Sequence, residues 1–449
     1  MKGIVISANE SGSGKTIITL GLMKAFKNRG YKVQGYKVGP DYIDTAFHSK
    51  ITGNTSRNLD LHLMGEDGVK ASFSRGKGHL AIVEGVMGFY DGRGISESCS
   101  TYEVAKLLKL PTILVLSPRA KVATLCAEIN GIRDYRNANI AGIILNNISP
   151  SYYTLLKEAI EKNCNLTVYG YLPTDNSLSL ESRHLGLVQS SEVKDIEGKI
   201  ERCAKLLEEK VDLENLYKAF SNTERYRDEF HLENKNLRIG VTFDKAFSFY
   251  YKENLELLSE VGEVIYFSPM KDNRVPENLD FIYFGGGYPE VFIEELKSNI
   301  SMRESINSTL ENGTRAYAEC GGLMYLTEAI YSLNKEGINT SSKENTNDLV
   351  SFFKGGSFMT SKLQNFGYGE IKVNKENVLL PMGLRIKCHE FHKSYVDLKE
   401  DTIYEVSKES FSGKIKTWKC GYMRNNTLGA YAHVHFFGNL EFLSSLLNK

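Results

Sequence analysis

The stretch YAECGGLMYL, residues 317–326, sets a cysteine among small residues. Ala318-Glu319-Cys320-Gly321-Gly322 has the make-up of a strand–turn–helix elbow, where small neighbours let a nucleophile project from a strained bend. The run GLMYLTEAI follows as a helix, and a helix N-terminus at the sulfur favours both a thiolate and an oxyanion. A thiol nucleophile needs a base. GAYAHVHFFGN (429–439) offers His433 and His435, alternate residues on one strand face. The same pair at i,i+2 suits a metal, but no further ligand of matching spacing accompanies it. FGGGYPE (284–290) directly follows a strand, and the backbone N–H groups of Gly286 and Gly287 suit an oxyanion hole. In CHEFH (388–392) the histidines are three apart, which is not H-E-x-x-H, so His389 and His392 read as packing residues.

A second chemistry sits at the other end of the chain. SANESGSGKT lies between a strand and a helix, the context of a phosphate loop. Gly12, Ser13 and Gly14 let backbone N–H groups close around phosphate oxygens. Lys15 brings charge to the β/γ-phosphates and Thr16 an oxygen for Mg²⁺. The full pattern has glycine where this chain has Asn9. KVGPDYIDTAFH (37–48) puts Asp41 and Asp44 just past a strand end. IVEGVMGFYDG (82–92) puts Glu84 at another strand end and Asp91 on the loop after it. Singly, each acid reads as a turn or capping residue. Four at strand ends beside a phosphate loop converge on one crevice and favour metal and substrate work, with Thr16, Asp41 and Glu84 as the Mg²⁺ ligands. Asn146, after the strand GIILN, is placed to meet adenine or to form an Asx turn.

Those residues have to be held by alternating elements. Apolar strands are expected at 3–8, 32–38, 80–85, 112–117 and 140–146, with helices at 16–30, 100–110 and 123–132. Fully apolar strands alternating with helices mean a parallel sheet covered on both faces. A charged stretch interrupts the pattern, and alternation restarts with strands near 237–243, 263–268, 279–287 and 314–320. The reading is therefore an ATP-binding domain over 1–220, a charged linker over 221–236, and a second α/β domain over 237–449.

Composition narrows the classes further. The chain has 449 residues, 41% hydrophobic and 24% charged, with 55 basic and 55 acidic side chains. Zero net charge argues against a nucleic-acid-coating or membrane-surface protein. MKGIVISANE reads as a first strand, since a signal peptide needs a longer apolar core. The seven cysteines (99, 126, 164, 203, 320, 388 and 420) are scattered without a C-x-x-C pair, which points to a reducing cytoplasm.

The chain also resembles one family throughout. SGSGKT, KVGPDYID, RNLDLHLMG, VEGVMGFYDG, SRHLGLV, DKAFSFYY, FSPMKD, GGGYPE, AECGGLMYL, FGYGE, HEFHKS and YAHVHFFGN, in that order, resemble the cobyrinic acid a,c-diamide synthases of cobalamin biosynthesis. The resemblance implies a P-loop, dethiobiotin-synthetase-like amidoligase domain followed by a class I glutamine amidotransferase domain of flavodoxin-like α/β fold. It implies Cys320 as glutaminase nucleophile and His433 as its activator. His435 stands where amidotransferase triads carry glutamate, so the third member is open between a backbone carbonyl and a remote carboxylate. Cys388 replaces the glycine usual before HEFH. Arg183 and His184 are candidates for substrate carboxylates, with a cap or surface ion pair as the equal alternative. The implied cofactors are ATP and Mg²⁺, and the implied partners are the small molecules cobyrinic acid, glutamine and ATP, with a homodimer left open. Hydrogenobyrinic acid and a nickel-sirohydrochlorin are the alternative tetrapyrroles. Cobyric acid synthases share the domain order, but GPDYID, RHLGLV and HEFH favour the a,c-diamide branch. A partition-type P-loop ATPase is the remote alternative; such proteins carry lysine where this chain has Glu10.

Overall fold

The computed structural model describes residues 1–178, 182–183, 186–187, 196–332 and 349–448. The chain forms two units, Met1–Leu61 with Gly65–Glu229, and His62–Met64 with Phe230–Lys449. The division falls between Glu229 and Phe230, inside the charged stretch. Among the described residues no helix is long and apolar enough to cross a membrane.

The first unit is built on β1 (Lys2–Ala8), β2 (Val33–Val38), β3 (Arg57–Leu59), β4 (Leu80–Glu84), β5 (Thr112–Leu116), β6 (Ile140–Ile148) and β7 (Val168–Pro173), in the order β3-β2-β4-β1-β5-β6-β7. Each neighbouring pair along this order is parallel. β4 and β5 are buried at every position, as expected of strands covered on both faces. Ile18, Leu22, Met23 and Phe26 of the helix Lys15–Asn28 share one apolar core with Ile200, Cys203 and Leu207 of the helix Ile196–Lys210. Each large aliphatic side chain buried this way contributes about 1.5–3 kcal/mol. Register pairs Ile6 and Lys37 with Glu84, so the carboxyl ends of β1, β2 and β4 lie side by side.

The second unit begins as the sequence suggests, with β8 (Leu237–Thr242), β9 (Gly262–Phe267), β10 (Phe281–Phe284) and β11 (Arg315–Glu319) in parallel. It continues into strands the pattern did not reveal, β12 (Gly355–Val373), β13 (Arg385–Leu398), β14 (Thr402–Glu409) and β15 (Ile415–Arg424), and then into β16 (Thr427–Ala430) and β17 (His433–Val434), which fall on the stretch read as one strand. The order is β9-β8-β10-β11-β16-β15-β14-β12-β13-β17, parallel as far as β16 and antiparallel beyond. β12 and β15 bury no more than two consecutive positions, and the buried run of β13 is Cys388-His389-Glu390, largely polar, so none carries the apolar signature that exposes a parallel strand.

Candidate active sites

In the first unit β1 feeds the glycine loop into the helix Lys15–Asn28. Gly14, at the N-cap, has φ 90°. A Cβ there would lie 2.0 Å from Asn146 Nδ2, so both conformation and space require glycine. Asn146 Nδ2 donates to the Ser13 carbonyl at 2.9 Å, tying the end of β6 to the loop. Lys15 Nζ donates to the carbonyls of Glu10 (3.1 Å) and Met87 (2.5 Å). Burial and the neighbouring Lys37 charge bring its pKa down to about 8, against the pull of nearby carboxylates.

Glu84 is the hub of this site. Its Oε1 accepts from Thr16 Oγ1 at 2.6 Å and Lys37 Nζ at 3.0 Å, and its Oε2 meets His48 Nε2 at 2.7 Å. Burial disfavours the carboxylate, but Lys37, His48 and Thr16 outweigh it and hold Glu84 well below the usual carboxylate range. Lys37, also buried, reaches Asp44 at 2.6 Å and the Gly85 carbonyl at 3.1 Å. Despite burial, Asp44 and Glu84 keep it protonated. Lys37 and His48 are residues the sequence reading passed over. The signal available was a lysine inside the otherwise buried strand β2.

The other acids divide their work. Asp41 caps the helix Tyr42–Thr52, accepting from the amides of Ile43 (2.8 Å) and Asp44 (2.9 Å). Asp91 accepts from the Gly88 amide at 3.0 Å and is exposed. Each therefore commits a carboxylate to local backbone. Arg183 lies on the short strand Ser182–Arg183, paired with Gly186–Leu187. His184 lies outside the described residues.

In the second unit Cys320 follows β11 with φ 51° and ψ −104°. A positive φ in a non-glycine residue is strained, and such strain gathers at functional sites. The Cys320 amide donates to the Ala430 carbonyl at 2.7 Å, which pins the bend to β16. Gly322 allows the following turn to approach β10, since a Cβ would stand 2.4 Å from the Phe284 carbonyl oxygen. Gly286 and Gly287 pair with Phe247–Phe249 and flank the elbow. The Gly287 amide nitrogen lies 2.9 Å from where a Cβ on Gly321 would be, and a Cβ on Gly286 would lie 2.7 Å from His433 Cε1.

His433 reaches Cys320 and, through Nδ1, the Glu319 Oε1 atom at 2.6 Å. Glu319 is thus the carboxylate that faces the histidine, a residue the sequence reading quoted without assigning. Its remaining oxygen accepts from Tyr283 Oη (3.1 Å) and the Val434 amide (3.4 Å). Burial lowers the His433 pKa, but Glu319 and Cys320 raise it more, to about 10.

One expectation fails here. His433 and His435 do not project from one strand face, because β17 ends at Val434 and Phe436–Gly438 turns as a 3₁₀ helix. His435 Nδ1 accepts the Phe437 amide at 3.2 Å, and its Nε2 lies 3.5 Å from Glu253 Oε2. His392 fits its packing role, held by the Ser394 carbonyl (2.7 Å) and Glu390 (2.9 Å) and stacked on Tyr431 at 3.9 Å. His389 is placed differently. It pairs in register with His433, ring centroids 5.8 Å apart, and its buried Nδ1 has no hydrogen-bond partner among the described residues.

Comparison with known proteins matches both units. Residues 4–188 match the family described as CobQ/CobB/MinD/ParA nucleotide binding domain. Residues 238–440 match the CobB/CobQ-like glutamine amidotransferase domain. A protein of Clostridium tetani named cobyrinate a,c-diamide synthase is 59% identical over 449 residues, covering 100% of both chains. A protein of the same name from Clostridium acetobutylicum is 58% identical, again over 100% of each. One from Caldanaerobacter subterraneus is 39% identical, covering 99% of this chain and 97% of its own.

Proposed function

The chain belongs to the cobyrinate a,c-diamide synthase family, ATP-dependent amidoligases with a nucleotide-binding and a glutamine amidotransferase domain, and from that premise we propose how its residues divide the reaction. In the second unit Cys320 Sγ attacks the side-chain carboxamide carbon of glutamine. The C–N bond breaks, His433 delivers a proton to the leaving nitrogen, and ammonia departs from a γ-glutamyl thioester. Water then hydrolyses the thioester to glutamate and restores the thiol. The backbone amides of Gly286 and Gly287 take the oxyanion.

In the first unit the Ser11–Thr16 loop holds ATP, and Lys15 leaves the Glu10 and Met87 carbonyls for the β/γ-phosphates. Asn146 braces the loop through Ser13, with its amide oxygen turned to adenine. Mg²⁺ fits the donor set, because the Thr16 hydroxyl and Glu84 carboxylate are hard oxygens already bonded to one another. Thr16, Glu84 and Asp41 would hold it, and it would neutralise phosphate charge. Among the described residues no group of three or more His, Cys, Asp or Glu could form a metal site, so phosphate and water would supply the other ligands. A peripheral carboxylate of cobyrinic acid attacks the γ-phosphorus, ADP leaves, and ammonia displaces phosphate from the acyl phosphate to give the amide. The c and a acetates are treated in turn. Asp44 and Asp91, with Arg183 and His184, orient the substrate, and Lys37 adds fixed positive charge.

The observation that carries the reading is Cys320, strained on its elbow and in contact with a histidine ion-paired at 2.6 Å. The test is incubation with Mg-ATP, glutamine and cobyrinic acid, with product mass followed over time. Two successive replacements of OH by NH₂ are expected. If cobyrinic acid is untouched while hydrogenobyrinic acid or nickel-sirohydrochlorin is amidated, the substrate assignment changes and the chemistry stands.

A further inference from the structure

We infer that Glu319, the residue immediately before the nucleophile, is the positioning residue that orients His433 during glutamine hydrolysis. The inference rests on reading the second unit as a glutaminase. Two independent observations carry it. The first is direct geometry: Glu319 Oε1 stands 2.6 Å from His433 Nδ1, with both side chains buried. The second is exclusion of the residue two places after the histidine. That residue is His435, whose Nδ1 accepts the Phe437 amide and whose Nε2 lies 3.5 Å from Glu253 Oε2.

An acceptor at Nδ1 places the ring proton there and gives Nε2 the exchange of a proton with sulfur and nitrogen. Glu319 is itself held by Tyr283 and the Val434 amide, so it cannot swing away without leaving buried donors unpaired. Sequence adjacency adds a mechanical consequence. One peptide joins the carboxylate to the nucleophile, and β11–β16 pairing sets Glu319 opposite Ala430 just before the bend. Nucleophile and base are therefore registered to each other through a single rigid turn. The charge state agrees, since Glu319 is the largest influence raising the His433 pKa to about 10 against burial, with Cys320 next. His389, a further titratable group beside His433, is pushed toward neutrality by burial and by His433 itself.

The experiment compares wild type with Glu319→Gln and Glu319→Asp in the full chain, with Mg-ATP and cobyrinic acid present. Glutamate release and amide formation are measured across pH. Glu319→Gln should lower glutaminase kcat by about a hundredfold to ten-thousandfold, with the glutamine KM within about threefold. Its alkaline limb should move to lower pH, and Glu319→Asp should recover part of the rate. Amide formation from ammonium salt should match wild type. In wild type alone, the His433 Nδ1 proton should appear far downfield in the NMR spectrum, a signal that needs no variant to fold. Glutaminase kcat within about threefold of wild type in Glu319→Gln, an unmoved pH profile, or no downfield proton in wild type would each overturn the inference. Parallel loss of ammonium-driven activity would also overturn it, as the mark of a structural role. A wild type without glutaminase activity would instead defeat the functional reading beneath it.

Discussion

The phosphate loop and the cysteine elbow solve opposite problems. At the elbow the chemistry is stored in backbone and in one ion pair. Cys320 is bent to φ 51°, and a single carboxylate faces a single histidine. At the phosphate loop the chemistry is stored in a closed network. Thr16, Lys37 and His48 all converge on Glu84, and Lys15 rests on two carbonyls. A covalent step of the kind proposed for the elbow needs one reactive atom in a fixed place. The loop stabilises charge that arrives with a nucleotide, so its cations must be desolvated, balanced and able to exchange partners. The difference lies in the charges: the elbow couples one thiol to one ion-paired histidine, whereas the loop holds several buried charges against one another.

The strongest test of that contrast removes one centre at a time. Cys320→Ala should lower glutamine-driven amidation by about a thousandfold or more, while ammonium salt restores product. Lys15→Ala should abolish amidation from either nitrogen source. If ammonium fails to rescue Cys320→Ala, the two centres are not separable and the comparison collapses.

Next in size is a difference in stability. Lys37→Met removes the cation that bridges Asp44 and Glu84, and breaking a buried pair in this way costs about 3–5 kcal/mol. Thermal unfolding of the whole chain should show the loss in its first-unit transition. The elbow predicts a pH effect instead. The His433 pKa is raised from 6.5, so the stability contributed by its ion pair is complete below 6.5 and is lost as pH rises through about 10. Glutaminase activity should fall over the same alkaline range.

Smaller effects sharpen the roles of neighbours. His435→Asn should cost about 1–3 kcal/mol by disturbing the Phe437 and Glu253 contacts, with glutaminase kcat within about threefold of wild type. A large drop in kcat would return His435 to the catalytic group. Asn146→Ala should raise the ATP KM by about fivefold, the equivalent of one hydrogen bond of about 1 kcal/mol. An unchanged KM would mean that the Ser13 contact does not shape the loop.

Much of this was legible from residue types alone. Small residues around Cys320, a glycine loop between strand and helix, and acids at strand ends each announce a local backbone requirement, and local requirements are written locally. Strands β1, β2, β4, β5 and β6 of the first unit and the start of the second were readable for the same reason, whereas β3 and β7 were not among the expected strands. What could not be read are pairings between distant segments. Glu319 sits within the quoted elbow, yet its partner is 114 residues away. His435 looked like a companion of His433 because i,i+2 residues share a strand face. The strand stops one residue too early for that rule to apply. The antiparallel strands β12–β15 escaped notice because half-exposed strands lack an apolar run.

The sequence by itself pointed to two chemistries, their order in the chain and Cys320 as the candidate nucleophile, since these depend on residue types within a few positions of one another. Tertiary structure alone decided which carboxylate faces His433, which of the two histidines meets Cys320, and that Glu84 gathers Thr16, Lys37 and His48. Those choices depend on which side chains a sheet register brings within about 3 Å, the hydrogen-bond range. Local pattern does not encode register between distant strands.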